Sequence, residues 1–368
     1  MNNSSLRIFA GARARRHLAA HGLQPADVRV IAAAAGGPKG LVLTPIDRFL
    51  FGHWLRGDGP PVHLVGASIG AWRMTSAALS DPDAALARLV HAYCTERYDP
   101  PPGQPQSPRN VSQRFAALLQ AQLAGRESEV LAHPRLRLHV VTSRGRHALL
   151  QRERRWAAGL GYAGAFLENL TGRQGLGRWL ERVVFSDARE ALPLALDDLP
   201  TRRVALSVEN LLPSVLGSGS IPFWLEAVHD IPGAPTGAYW DGGITDYHLH
   251  WPWRDIAPTE ASGGLVLYPH FQARLVPGWL DKGLRRRHRP TPWLDNLVVL
   301  APDPAWAATL PGGKLPDRSD FQRYGTDHTG RAKTWTTAVA QSQRLADELA
   351  QWLHDGCPLD RITPLETT

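Results

Sequence analysis

Apolar residues fall along this chain in short runs, each bounded by glycines, prolines or charged stretches. Positions 28–34 carry Val28, Val30, Ile31 and three alanines, then open into glycines. A nearly continuous run of that length predicts a buried strand. A helix is expected over 41–54, with Pro45 near its first turn. Positions 62–65 predict a second strand, and 71–79 the helix after it. Asp81 and Pro82 suit the cap and first turn of another helix, running to about Tyr93. The proline-rich stretch 99–108 predicts a loop. Positions 113–123 read helical, and 136–142 alternate as a strand does. The stretch 145–200, rich in Arg, Gly and Leu, is expected as outer helices, a helical insertion or lid. Further strands are expected at 204–208, 265–268 and 297–300, and a long C-terminal helix at 328–354. Alternating strands and helices predict an α/β fold: a three-layer sandwich around a mainly parallel central sheet. No shift in composition divides the chain, so one domain over 1–368 is expected.

With 368 residues, 43% of them hydrophobic, the chain can build a large core. Its apolar runs are too short for a membrane-spanning helix. The first residues lack a basic start followed by an apolar block, so no secretory signal is expected. Cys94 and Cys357 form no C-x-x-C pair, which predicts reduced thiols and a cytoplasmic setting. A formal charge of +7 favours anionic partners. No nucleic-acid motif accompanies it, so nucleic acid is not expected as a partner. The densest basic cluster is Arg285, Arg286, Arg287, His288 and Arg289. It reads either as a solvated loop or as a patch for peripheral contact with an anionic membrane, with Trp279 and Trp293 nearby. Nothing in the pattern fixes an oligomeric state.

The chemistry concentrates in three segments. Gly66-Ala67-Ser68-Ile69-Gly70 is G-x-S-x-G between a strand and a helix, the setting in which a serine is exposed on a sharp turn as a nucleophile. Glycines on either side let the backbone turn tightly. Gly36, Gly37, Lys39 and Gly40 lie in a loop that ends the first strong strand and opens a helix. Backbone N–H groups converging there suit an oxyanion hole, a weaker phosphate loop, or a plain turn. The Walker spacing is absent. Asp241, followed by Gly242 and Gly243, is either a turn residue or the base that activates a serine.

These segments occur in the order GG-x-K-G, G-x-S-x-G and D-G-G, with Ser218-Gly219-Ser220-Ile221-Pro222-Phe223 between the last two. Over roughly residues 28–248 the chain resembles the patatin-like phospholipases, lipid acyl hydrolases that use a Ser–Asp dyad. The resemblance implies Ser68 as nucleophile and Asp241 as its partner. It also implies Gly66 and Gly70 as the elbow glycines, and Gly36, Gly37, Lys39 and Gly40 as the oxyanion loop. It implies an acyl-enzyme, a lipid or other ester substrate, and no metal or cofactor. Ala35 departs from the family's triple glycine, Pro38 removes one donor, and the spacing of 221–223 is short.

Two rival chemistries and one non-catalytic reading stand beside it. A Ser-His-Asp α/β-hydrolase would draw its base from His248, His250, His270, His288, His328 or His354. Asp246, His248 and His250 could hold a metal, though no further ligand motif supports one. A lipid-binding module that keeps the fold without the activity is the third alternative.

Overall fold

The strands run, in chain order, as β1 (Leu6–Ala10), β2 (Val28–Ala33), β3 (Val62–Ala67), β4 (Leu136–Gly145), β5 (Leu180–Ser186) and β6 (Thr201–Ala205). They continue as β7 (Val228–His229), β8 (Ala238–Asp241), β9 (Leu265–Pro269), β10 (Leu297–Pro302) and β11 (Ile362–Pro364). The computed structural model describes residues 4–97, 99, 107–151, 154–259 and 263–365. Most of the 99–108 loop and the first three residues therefore lie outside the described residues. The strands form one sheet in the order β11-β1-β10-β9-β2-β3-β4-β5-β6, with β7 and β8 branching from β4. Its centre, β10-β9-β2-β3-β4, is parallel throughout. The β1–β10, β4–β5, β4–β8 and β7–β8 pairs are antiparallel. This is an α/β fold with a mostly parallel central sheet flanked by helices.

The central strands are buried on both faces, which explains their unbroken apolar runs. Val62 and Leu64 of β3 enter one core, and Val65 and Ala67 the other. Long helices cover the first face: Ile69–Ala77, Pro82–Thr95, Pro108–Leu123 and Val208–Ser218 among them. Irregular chain fills much of the second, where Leu192, Leu194, Leu249, Trp251, Trp253 and Phe271 pack on the sheet. Large side chains replace a full helical layer there. The Asp81 carboxylate accepts the Ala84 N–H at 3.0 Å, as a helix cap should.

Four expectations change. The stretch 145–200 is not helical throughout: after the helix Arg155–Thr171 it returns to the sheet as β5, buried along its length. Arg182 hides that strand from a sequence reading, because an arginine normally marks a surface. Here it is fully buried between Asp246 at 2.6 Å and Asp198 at 2.8 Å. The strand expected at 204–208 lies earlier, at β6, and Val208 already begins a helix. Ser207 and Asn210 form a reciprocal cap at that point. The long 328–354 helix breaks at Ser342 into His328–Gln341 and Gln343–His354. The helix expected over 41–54 divides into a 3₁₀ turn (Gly37–Leu43), an α-helix (Thr44–Phe49) and a π turn (Leu50–Trp54).

Candidate active site

The long strand β4 acts as a ruler. On one of its edges β3 runs alongside until Ala67, which lies opposite Val141. β8 arrives on β4 from the other direction and ends with Asp241 opposite Thr142. Two strand ends thus meet at neighbouring β4 residues, and the residue after Ala67 is Ser68. The Ser68 hydroxyl donates to Asp241 Oδ2 at 2.6 Å, across a sequence separation of 173 residues.

The turn that presents Ser68 is strained. Its φ is 56° and its ψ −127°, a conformation that side chains disfavour and that recurs at functional turns. Close approach, rather than positive φ, demands the flanking glycines. A Cβ on Gly70 would lie 2.0 Å from the Ala33 carbonyl oxygen, and one on Gly66 would lie 2.5 Å from the Ala71 nitrogen. The same holds beside Asp241, where a Cβ on Gly242 would lie 2.1 Å from the Val141 carbonyl oxygen.

The segment 218–220 ties both partners to the sheet. Ser218 Oγ accepts the Ser68 N–H at 2.9 Å and donates to the Val141 carbonyl at 2.6 Å. The Asp241 N–H reaches the Ser220 carbonyl at 2.8 Å, and the Gly242 N–H reaches the Ser218 carbonyl at 3.0 Å. Asp241 Oδ1 accepts the Gly243 N–H at 2.7 Å, which orients the carboxylate and leaves Oδ2 for Ser68. Ser68 is 3% exposed and Asp241 6%. Burial pushes the Asp241 carboxyl above its usual range. Arg318 is the strongest opposing influence, followed by the hydrogen bonds from Ser68 and Gly243 and by Lys282.

The glycine loop leans on this turn. A Cβ on Gly40 would meet Ile69 Cγ2 at 2.8 Å, so the loop packs directly on the residue after the serine. A Cβ on Gly36 would meet the Phe271 ring at 2.4 Å, and Gly37 has a φ of 57°. Among the described residues no acceptor outside the local turn takes the Gly36 or Gly37 N–H. The Lys39 ammonium lies over the Phe271 ring, 5.4 Å from its centre, and burial lowers its pKa. Ala35 keeps a negative φ, and its methyl packs against Gly243.

A cavity of about 20 Å³ lies against Asp241, walled by Ile221, Pro222, Trp279, Lys282 and Arg318. Ile221 and Arg318 also border a larger cavity of about 320 Å³, lined by Val111, Phe115, Trp224 and Leu225. Among the described residues, Lys39, Lys282 and Arg318 carry no ion pair with a carboxylate. The Lys282 ammonium lies 4.1 Å from the centre of the Tyr247 ring and 5.8 Å from that of Trp279. Burial and two neighbouring cations push it down to about 8.

None of the six late histidines bonds Ser68 or Asp241 among the described residues. His248 Nδ1 accepts the Val276 N–H, His250 pairs with Thr291, and His270 with the Gln272 backbone. His288 meets the Asp281 carbonyl, His328 meets Asp99, and His354 is exposed. Asp246 is committed to Arg182, and no metal-binding group of side chains occurs among the described residues. Within the basic cluster, Arg287 pairs with Asp281 at 2.7 Å and His288 is buried, while Arg285, Arg286 and Arg289 are exposed. The solvated-loop reading therefore fails for two of its five residues. The sequence reading missed Lys282, Arg318 and the part Ser218 plays in holding the turn. No spacing rule points to the two cations. Ser218 did fall in a recognised segment, and its role follows from what that segment touches. The chain matches no protein-family model and no curated protein.

Proposed function

We propose that the protein is a serine acyl hydrolase of the patatin-like phospholipase type, cleaving carboxylic esters of lipids. One observation carries the reading: the Ser68 hydroxyl donates to a buried carboxylate at 2.6 Å, and no imidazole stands between them. Asp241 takes the proton as Ser68 Oγ attacks the ester carbonyl carbon. The developing oxyanion is met by main-chain N–H groups of the glycine loop and of Ile69, the first residue of the helix, whose amide has no backbone acceptor among the described residues. The carbonyl re-forms, the alcohol leaves with the proton from Asp241, and the acyl group stays on Ser68. Water then gives one proton to Asp241 and attacks the acyl carbon, the bond from that carbon to Ser68 Oγ breaks, the acid leaves, and Asp241 returns the proton to Ser68. Each step uses atoms that the dyad, the loop and the substrate supply.

The walls support a lipid substrate. The 320 Å³ cavity offers apolar lining for an acyl chain, and it shares Arg318 with the cavity at Asp241. Two cations without ion-pair partners among the described residues, Lys282 and Arg318, line the cavity at Asp241 and favour an ester that carries negative charge, as a phospholipid does. The test is a panel of esters differing in chain length and head group, run beside fluorophosphonate labelling. Labelling of the wild type, its absence in Ser68→Ala, and ester turnover that disappears in both Ser68→Ala and Asp241→Asn are the expected results. A folded wild type that neither labels nor turns over any ester would leave a lipid-binding module instead. Loss of turnover on replacing one late histidine would replace the dyad by a triad.

A further inference from the structure

The helix Arg155–Thr171 has its apolar side turned outward. Its inner side buries Ala158, Tyr162, Ala165 and Asn169. Its outer side carries Trp156, 56% exposed, Leu160 at 59% and Leu167 at 63%, joined by Leu170 and Phe166. Positions 156, 160, 163, 167 and 170 recur at helical spacing, so they form one stripe. Five of the eight large hydrophobic side chains exposed among the described residues lie on this one helix. A stripe of this size on a molecule with an ample core marks a contact surface.

Charge decides what the stripe contacts. Arg287 donates to the Asn169 carbonyl at 2.6 Å and to Asn169 Oδ1 at 2.9 Å, which fastens the basic cluster to the C-terminal end of the helix. Arg285, Arg286 and Arg289, all exposed, are thereby held beside the apolar stripe. Arg154 and Arg155 are exposed at the helix's other end. The helix's single carboxylate, Glu168, faces Arg178 at 3.4 Å. An apolar stripe between arginines is the pattern of a helix lying in the head-group region of an anionic bilayer.

We propose that the outer face of Arg155–Thr171, together with Arg285, Arg286 and Arg289, docks this protein on an anionic lipid bilayer. The docked helix also backs the site wall. Tyr162, on its inner side, packs edge-on to Trp279 at 6.2 Å between ring centres, and Trp279 lines the cavity at Asp241. A surface-bound helix would thus hold the dyad's cavity next to the lipid. This consequence for catalysis rests on the proposed esterase reading, whereas the docking itself does not.

Vesicle flotation tests it, using phosphatidylcholine vesicles with and without phosphatidylserine and the full chain in its wild-type and Ser68→Ala forms. Both forms are expected to float with the anionic vesicles alike, and to be released by salt. Arg285→Glu/Arg286→Glu should weaken binding roughly fivefold for each arginine lost. Trp156→Ser/Leu167→Ser should weaken it at least as much, while hydrolysis of a water-soluble ester stays unchanged in both double variants. Flotation of neither form, or double variants that float as well as the wild type, would overturn the proposal. A wild-type dimer in sedimentation that Trp156→Ser/Leu167→Ser converts to monomer would assign the stripe to self-association and overturn it equally. Flotation without any ester turnover would leave the docking intact and remove only the esterase reading.

Discussion

The serine–aspartate pair and the wall that faces it are built by different means. Ser68, Asp241 and Gly242 are fixed through main-chain N–H groups, strand register and glycines pressed onto carbonyl oxygens. Opposite them, Lys282 and Arg318 come from separate segments of the cavity wall, with Lys39 close to Lys282, and none of the three forms an ion pair with a carboxylate among the described residues. Lys282 and Lys39 rest on aromatic rings instead. Backbone contacts of the first kind tolerate almost no change of side chain. Side-chain contacts of the second kind can be exchanged without disturbing the sheet. On the proposed reading, the reaction belongs to the part of the molecule that cannot vary, and the choice of substrate to the part that can.

Gly70→Ala should break the first region outright. Its new Cβ would lie 2.0 Å from the Ala33 carbonyl oxygen and 2.5 Å from its carbon, both main-chain atoms of a central strand. Neither can withdraw without pulling β2 from the sheet. A loss of more than about 4 kcal/mol is expected, read as a collapse of the denaturation midpoint or of soluble yield. A Gly70→Ala protein with wild-type stability would show that the turn relaxes freely, and the contrast between the two regions would vanish.

Asp241→Asn sharpens the comparison by separating activity from stability. Without its base the serine should lose about four orders of magnitude in kcat/KM. The fold should nevertheless gain stability near neutral pH. A carboxyl raised by burial binds its proton more tightly in the folded state than in the unfolded one. Stability is therefore lost as pH rises from the ordinary carboxylate range through the raised folded value, and a neutral amide escapes that loss. Thermal melting of the two proteins at several pH values reads the difference, which should close at low pH. An Asp241→Asn protein that melts below the wild type at neutral pH would mean that the carboxylate is held by more than the structure displays.

Arg318→Ala probes where the two regions touch, because its guanidinium is the strongest influence pulling the Asp241 carboxyl down. The base must be ionised to accept the serine proton, so kcat/KM should rise with pH through the raised carboxyl value and then level off. Removing Arg318 should move that rise to higher pH, while activity on the plateau towards a neutral soluble ester changes by less than about tenfold. An unmoved acid limb would detach the wall from the dyad's electrostatics.

The same division explains which features could be read from the chain. Gly66, Ser68, Gly70, Asp241 and Gly242 were legible because close main-chain packing restricts each position to one or two residue types, and such restrictions survive as local patterns. The central strands were legible because both of their faces are buried. β5 was not, since Arg182 and Glu181 interrupt its apolar run and only the partners Asp246 and Asp198 make a buried arginine tolerable. β6 was read three residues late because Thr201, Arg202 and Arg203 give this edge strand a polar start. Arg318 follows Asp241 by 77 positions, and nothing local to either residue announces their meeting. The outward stripe of Arg155–Thr171 was hidden for a related reason. Sequence shows that a helix has an apolar side, but which side faces the core depends on what packs there.

The smallest effect belongs to Lys282, in the wall of the cavity at Asp241. Its ammonium, pushed down to about 8, loses its charge as pH rises through that value. Below about 8 an anionic ester should therefore meet one more positive charge at the site than above it. The wild-type KM for such an ester should climb about threefold across this step, as expected for a partly screened charge in water. A neutral ester of equal chain length should show no step. Lys282→Met keeps a flexible apolar stem against Tyr247 and Trp279 but carries no charge, so it should give the high-pH KM at every pH. Because its ammonium forms no ion pair among the described residues, this variant should fold as the wild type does, and kcat for the neutral ester should stay within about twofold. A step that persists in Lys282→Met would shift the titrating charge to Lys39, whose pKa burial also lowers. A step of equal size for the neutral ester would mean that pH acts on the reaction itself, and that the wall takes no part in choosing what the serine attacks.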